Sequence, residues 1–147
     1  MCGLRELLYD HLSETSDNAN HEQRFGNAIT DRGVLNLRNA IYSTDFAPIE
    51  EGCQCVCCRS KDDGGLGIIR AYIYHIASKE TAGAHLLTIH NVHYQLNLMK
   101  NVRQAIIEDR YPAFLKDFFA KLYDDKGKYP QWAVDALKGV GVDLRSD

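Results

Sequence analysis

The sequence predicts an α+β protein in which a small antiparallel β-hairpin carries a metal site and a set of C-terminal helices follows. Three observations support this class. Four of the five cysteines lie within residues 53–58. Residues 25–39 form two short arms around a glycine-containing turn, which is typical of a hairpin. The second half of the chain repeats apolar residues at helical spacing.

Composition sets the broad class of the protein. The 147 residues are 45% hydrophobic and 25% charged, as in an ordinary globular domain, and they carry a net charge of −3. This charge argues against a generally basic nucleic-acid binder but allows a local basic face. No apolar run approaches the roughly 18–20 residues of a membrane span. Arg5, Glu6 and Asp10 interrupt the N-terminal segment, which therefore does not resemble a signal peptide.

The cysteine cluster reads Cys53-Gln54-Cys55-Val56-Cys57-Cys58. Thiolates bind zinc at about 2.3 Å, and the spacing Cys-x-Cys-x-x-Cys supplies three ligands, Cys53, Cys55 and Cys58. A disulfide framework is disfavoured because cysteines this close would pair in strained short loops. Bound metal in a reducing cytoplasm fits better.

The fourth ligand must come from elsewhere, and a histidine is the expected donor. His85, His90 and His93 are all candidates, and chemistry alone does not choose among them. A site with three cysteines and one histidine is closed, with no open position for water, so it favours stability over catalysis. Zinc binding at such sites contributes on the order of 10–16 kcal/mol, so loss of the metal should unfold this region.

The first half of the chain is predicted to contain little regular structure besides the hairpin. Residues 1–14 could form a short helix and 15–22 a polar loop. The hairpin turns at Asp31-Arg32-Gly33, and an extended piece spans 41–49. The glycine-rich stretch 59–67 matches neither a P-loop nor a dinucleotide fingerprint, which favours a flexible surface loop over a phosphate site.

Helices are predicted at 68–78 and 79–86, and a long one runs from 92 to 108. The apolar face of the long helix contains Val92, Leu96, Met99, Val102 and Ile106. A further helix begins at Pro112, where a missing N–H costs nothing; its apolar side contains Phe114, Leu115, Phe118, Phe119 and Leu122. The last helix begins at Pro130, packs Trp132, Ala136 and Leu137, and ends near Gly139.

Several segments together resemble the tRNA-guanine transglycosylase family. Its zinc-binding part is similar to the cysteine motif followed by Ile-Arg-Ala-Tyr-Ile (69–73), Leu-Leu-Thr-Ile-His-Asn (86–91) and Leu-x-Leu-Met (96–99). The resemblance extends from about Arg24 to the C-terminus. Upstream it includes Arg24-Phe25-Gly26-Asn27-Ala28, and the tail segments 105–112 and 132–137 resemble the eukaryotic catalytic subunits.

The resemblance implies a ligand set and a domain organisation. The family's histidine corresponds to His90, so the zinc ligands are Cys53, Cys55, Cys58 and His90, while Cys57 is not a ligand. Residues 24–147 would be the zinc-binding C-terminal portion of a TIM-barrel enzyme whose barrel is incomplete here. Residues 1–23 would be an N-terminal extension, poorly ordered or a short helix. Asp62–Gly67 resembles an insertion between ligands.

The activity implied by the resemblance is exchange of guanine for queuine at the tRNA wobble position, through attack by an aspartate on the ribose. The family's nucleophile lies in an Asp-Cys-Val segment within a barrel of about 250 residues. This sequence contains no Asp-Cys pair, and Asp10, Asp17 and Asp31 have no motif around them. We therefore assign no catalytic residue and expect the chain, as a C-terminal fragment, splice form or truncated gene model, to be inactive by itself.

The resemblance also implies partners. These are tRNA and either a second copy or the non-catalytic paralogous subunit, in the cytoplasm or associated with mitochondria. Arg24 matches an arginine that contacts the anticodon region, although a solvated loop arginine is an equal alternative. The helix 92–108 would lack its usual strands, so its apolar face should be partly exposed. The alternative function is a non-catalytic zinc module that binds tRNA or the paralogous subunit.

Overall fold

The computed structural model describes residues 26–77 and 79–145. Strands β1 (Asn27–Thr30) and β2 (Gly33–Asn36) form an antiparallel hairpin. Four helices follow in these residues: α1 (Arg70–Ile76), α2 (Thr81–Ile107), α3 (Tyr111–Leu122) and α4 (Gln131–Gly139). The predicted α+β class is confirmed. The segments expected at 1–14 and 15–22, and Arg24, lie outside the described residues.

The hairpin forms where the sequence predicts it. Asp31 and Arg32 make the turn, and Gly33 has a φ of +104°, a left-handed conformation that favours glycine. Beyond the strands, the Leu37 N–H donates to the Gly26 carbonyl at 2.9 Å. Ala28 and Leu37 are fully buried, so the hairpin is anchored by one face.

The extended piece predicted at 41–49 is wrong over 41–44, which form the end of a 3₁₀ helix and a turn. Ala40–Tyr42 form a short 3₁₀ helix because the Asn39 side chain accepts the Ile41 N–H at 3.1 Å and so caps a turn. Only a single bridge, between Pro48 and Ile69, gives this segment strand-like pairing within the described residues. The segment is instead held by the local Asn39 cap and by residues 70 and 71, since the Arg70 N–H donates to the Ala47 carbonyl at 2.9 Å and the Ala71 N–H to the Asp45 carbonyl at 2.8 Å.

The helix boundaries predicted at 79–91 are also wrong. A separate helix at 79–86 and a break before residue 92 were expected, but α2 runs without interruption from Thr81 to Ile107. No proline stands in this stretch, and the Thr88 hydroxyl donates to the Ala84 carbonyl at 2.8 Å, so it is satisfied inside the helix. The preceding helix is shorter than predicted: it begins at Arg70, because Ile69 has an extended backbone with φ −98° and ψ 157°, and it ends at Ile76.

The two C-terminal helices begin within one residue of their predicted starts at Pro112 and Pro130. Pro112 lies in the first turn of α3, and Pro130 caps α4. The predicted packing face of α4 is wrong, however. Ala133 and Val134 are buried while Trp132 is 45% exposed and Ala136 is exposed. The helix turns its other side inward, and only Leu137 of the predicted set packs against the core.

The described residues divide into two units, each with its own core. The first contains 26–30, 34–77 and 79–98, and its buried cluster includes Leu37, Ile49 and Ile73. The second contains 31–33 and 99–145, and its cluster includes Leu115 and Phe119. None of the described helices is both long and apolar enough to cross a membrane.

Candidate metal centre

Four side chains of the first unit converge on one point. Cys53, Cys55 and Cys58 come from the loop between the hairpin and α1, and His90 comes from α2. Their ligand atoms all lie within 4.8 Å of one another. Cys55 and His90 are buried, and Cys53 and Cys58 are half-buried. The group is therefore positioned to bind a metal ion.

The spacing of the ligand atoms matches a tetrahedral ion. Nδ1 of His90 lies 3.8 Å from Sγ of Cys53, 3.6 Å from Sγ of Cys55 and 3.4 Å from Sγ of Cys58. Zn–S bonds of about 2.3 Å and a Zn–N bond of about 2.0–2.1 Å place nitrogen and sulfur about 3.6 Å apart in a tetrahedron. The three measured distances bracket that value, so the residues present fit zinc.

The imidazole of His90 is held in the orientation that a ligand needs. Its Nε2–H donates to the Ile29 carbonyl of β1 at 2.9 Å, which leaves the lone pair of Nδ1 directed at the sulfurs. Burial lowers the pKa of His90, against the opposing effect of the Ile29 hydrogen bond. A neutral imidazole is the form that binds metal.

The thiols of Cys53 and Cys58 lie where a thiolate is unfavourable without a cation. Burial raises the pKa of Cys53 to about 11 and raises that of Cys58 as well. The Cys58 N–H contacts Cys55 Sγ at 3.3 Å, a hydrogen bond that stabilises negative charge on this sulfur. A bound cation would supply the missing compensation for the thiolates of Cys53 and Cys58.

The remaining cysteine and histidines of this region lie outside the group. Cys57 is fully buried, and its thiol donates to the Leu86 carbonyl at 3.4 Å instead. His85 is exposed and His93 is half-buried, and neither belongs to the four-residue group. The structure thus brings together the residues named from the sequence, and Cys57 is not one of the four that converge.

The loop after the cysteines folds back onto them. Leu66 N–H donates to Val56 O at 2.8 Å, and Gly67 N–H donates to Arg59 O at 2.9 Å. Gly65 packs so closely that an added Cβ would lie 2.1 Å from the Arg59 carbonyl oxygen. The loop is on the surface, as predicted, and its backbone is hydrogen-bonded to the cysteine turn.

Sequence reasoning did not single out Asn91. This residue follows His90 on α2 and bonds the backbone of β1 through both ends of its carboxamide. Asparagine is a weak helix former because its side chain competes for backbone hydrogen bonds. An asparagine in the middle of a long helix, next to a candidate ligand, was the sequence feature that could have pointed to this residue.

Comparison with known proteins gives consistent matches. A family model described as queuine tRNA-ribosyltransferase matches residues 17–124. A Schizosaccharomyces pombe protein named queuine tRNA-ribosyltransferase catalytic subunit is 55% identical over 122 residues, covering 82% of this chain and 30% of the relative. A Caenorhabditis elegans protein of the same name is 38% identical over 138 residues, covering 82% of this chain and 32% of the relative.

A bacterial relative extends the comparison. A Bacillus velezensis protein named queuine tRNA-ribosyltransferase is 46% identical over 99 residues, covering 67% of this chain and 24% of the relative. The chain spans a third or less of the length of these relatives. Because the family model covers most of the chain and the identity reaches 55%, this chain belongs to the queuine tRNA-ribosyltransferase family.

Proposed function

We propose that this chain is the metal-binding C-terminal part of a queuine tRNA-ribosyltransferase, with a structural zinc held by Cys53, Cys55, Cys58 and His90. The observation that carries the proposal is the convergence of these ligand atoms within 4.8 Å. Thiolates and imidazole are the donors that zinc prefers in closed tetrahedral sites. The 55% identity to a catalytic subunit supports the family assignment of the metal-binding part.

The role of the ion follows from its ligands. All four positions of a tetrahedral ion are taken by protein atoms, so no water can be bound and activated there. Cys53, Cys55 and Cys58 instead tie their loop to α2, and His90 joins α2 to β1 through the Ile29 carbonyl. We assign this centre to holding the fold together.

The proposed reaction and its tRNA substrate are those of the full-length enzyme. We propose that the enzyme exchanges guanine for queuine at the tRNA wobble position, as the relatives' names and the family resemblance support. In this scheme residues 24–147 form the zinc-binding region and 1–23 an extension, Arg24 contacts tRNA, and the protein acts in the cytoplasm. No residue of this chain is assigned to catalysis, because the sequence contains no Asp-Cys pair.

Metal analysis tests the zinc centre. The purified chain should contain about one equivalent of zinc, since sites of this kind hold the metal tightly. Cys58→Ser should lose the metal, whereas Cys57→Ser should retain it because Cys57 bonds Leu86 instead. Both substitutions replace a sulfhydryl in the same turn, so they are matched. Less than about half an equivalent in the parent chain, or equal loss in both variants, would contradict the assignment.

Base exchange and co-purification together test the two candidate functions. Labelled-guanine incorporation into tRNA is expected to be absent for the 147-residue chain and present when the full-length enzyme of a relative is assayed in parallel.

The alternative, a non-catalytic zinc module that binds tRNA or the paralogous subunit, is favoured by exposed apolar side chains in the first unit: Ile41 is 68%, Phe46 75% and Tyr72 46% exposed. Co-purification with the paralogous subunit without exchange would support the module, and exchange by this chain would defeat it.

A further inference from the structure

The carboxamide of Asn91 bonds β1 as a neighbouring strand would. Its Oδ1 accepts the Ile29 N–H at 2.9 Å, and its Nδ2 donates to the Asn27 carbonyl at 2.9 Å. The adjacent His90 donates to the Ile29 carbonyl, also at 2.9 Å. Two consecutive residues of α2 therefore contact three backbone groups of one short strand.

These three groups lie along one edge of the strand. Alternate residues of a strand direct their N–H and C=O to the same side, so Asn27 and Ile29 share an edge. Gly26, whose carbonyl accepts from Leu37, belongs to the other set, which faces β2. A primary carboxamide offers a donor and an acceptor with the geometry of a peptide group. Asn91 thus supplies the pairing that a third strand would otherwise provide.

The register of β1 decides where the Ile29 carbonyl lies, and that carbonyl orients the His90 ring. We propose that Asn91 is a positioning residue for the metal centre: it fixes β1 so that Ile29 holds Nδ1 of His90 toward the three sulfurs. The inference rests on the proposed metal site. Outer hydrogen-bond partners of metal-binding histidines typically change metal affinity by about 10–100-fold. A residue that only stabilised the fold would leave the ring orientation unchanged.

Cobalt binding by the 147-residue chain tests the inference. Co(II) gives absorption bands that report tetrahedral thiolate coordination, and competition with a chelator gives the affinity. Asn91→Ala should bind Co(II) and zinc about tenfold or more weakly, and ¹⁵N NMR of the imidazole should show His90 losing its single Nε2–H tautomer. Asn97→Ala, at an exposed asparagine of the same helix, is the matched control and should match the parent chain.

A second variant keeps the test decisive if Asn91→Ala does not fold. Asn91→Asp keeps the acceptor for the Ile29 N–H but sets a carboxylate oxygen against the Asn27 carbonyl, so it too should bind the metals more weakly than the parent chain. Affinity and His90 tautomer equal to those of Asn97→Ala in a folded Asn91 variant would overturn the inference while the metal centre stands. A parent chain that binds neither metal would overturn both.

Discussion

At the scale of single residues, Arg70 organises the segment that leads to the cysteines. Its guanidinium bonds Asp45 at 3.1 Å and reaches the Ile49 carbonyl through Nε at 3.3 Å and Nη2 at 3.2 Å. The other carboxylate oxygen of Asp45 accepts the Ala47 N–H at 2.9 Å. The planar guanidinium of arginine carries several N–H donors, so it can bond the carboxylate and the carbonyl at the same time. Residues 45–49 are thus held beside α1 largely without strand pairing.

The Asp45 carboxylate should give a pH-dependent contribution to stability. The Ala47 hydrogen bond first, and then Arg70, hold its pKa below the ordinary 3.8. A lowered pKa in the folded state means that the stabilisation is full above the unfolded value and is lost as pH falls through the folded value. Asp45→Asn should lower the free energy of unfolding at pH 7 by about 1 kcal/mol, and its difference from the parent should shrink below about pH 4.

Denaturant unfolding between pH 7 and pH 3 measures this difference. Asp62→Asn, at an exposed aspartate of the surface loop, is the control and should follow the parent at every pH. A difference between Asp45→Asn and the parent that stays constant or grows on acidification would show that Asp45 does not make this contribution.

At the scale of elements, α2 has one buried side and one exposed apolar side. Leu87, Tyr94, Leu98 and Ala105 are buried. The apolar face named from the sequence is largely exposed to solvent: Val92 is 48%, Leu96 67%, Met99 45% and Ile106 54% exposed. The expected partial exposure of this face is confirmed. Apolar surface of this kind promotes association in solution.

Two neighbouring leucines of α2 should therefore respond differently to a charge. Leu96→Lys should change the free energy of unfolding by no more than about 0.5 kcal/mol, because the side chain is exposed. Leu98→Lys should cost about 3 kcal/mol or more, because it removes a buried side chain and introduces an unpaired charge. Urea unfolding checks both values.

Light scattering adds an independent readout on the same variants. The parent chain should self-associate as its concentration rises, and Leu96→Lys should reduce that association. A parent chain that stays a monodisperse monomer, or a Leu96→Lys variant as unstable as Leu98→Lys, would contradict the exposure of this face.

At the scale of the whole molecule, only one of the two units contains the metal-binding group. The four ligands lie in the first unit, whose buried cluster includes Cys55 and Cys57. The second unit has a separate cluster of aromatic and aliphatic side chains, with Phe119 lying 5.5 Å from Tyr129 between ring centroids. Structural zinc supplies on the order of 10–16 kcal/mol, comparable to the whole stability of a small domain.

Removal of the metal should therefore affect the two units unequally. On chelation, hydrogen exchange at residues 34–58 and 81–98 should accelerate strongly, while α3 and α4 should keep most of their protection. Mass-spectrometric hydrogen exchange with and without chelator measures this, and Cys58→Ser without chelator should give the same pattern. A uniform loss of protection in both units would contradict independent cores.

The sequence by itself determined the features that depend on short stretches of chain. Backbone preferences within a few residues explain the hairpin turn at Gly33 and the helix starts beside Pro112 and Pro130. Ligand chemistry explains the spacing of Cys53, Cys55 and Cys58. The α+β class followed from these local patterns together.

Only the tertiary structure decided which distant groups meet. The residues alone left His85, His90 and His93 open, and the family resemblance implied His90. Its ring is directed at the sulfurs because the Ile29 carbonyl, 61 positions earlier in the chain, accepts the hydrogen bond from its Nε2–H. The hydrogen bonds from the Asn91 carboxamide to Ile29 and Asn27 likewise join α2 to a strand more than 60 positions away. Such contacts join residues far apart in sequence, so they depend on how the chain packs and leave no short pattern to read.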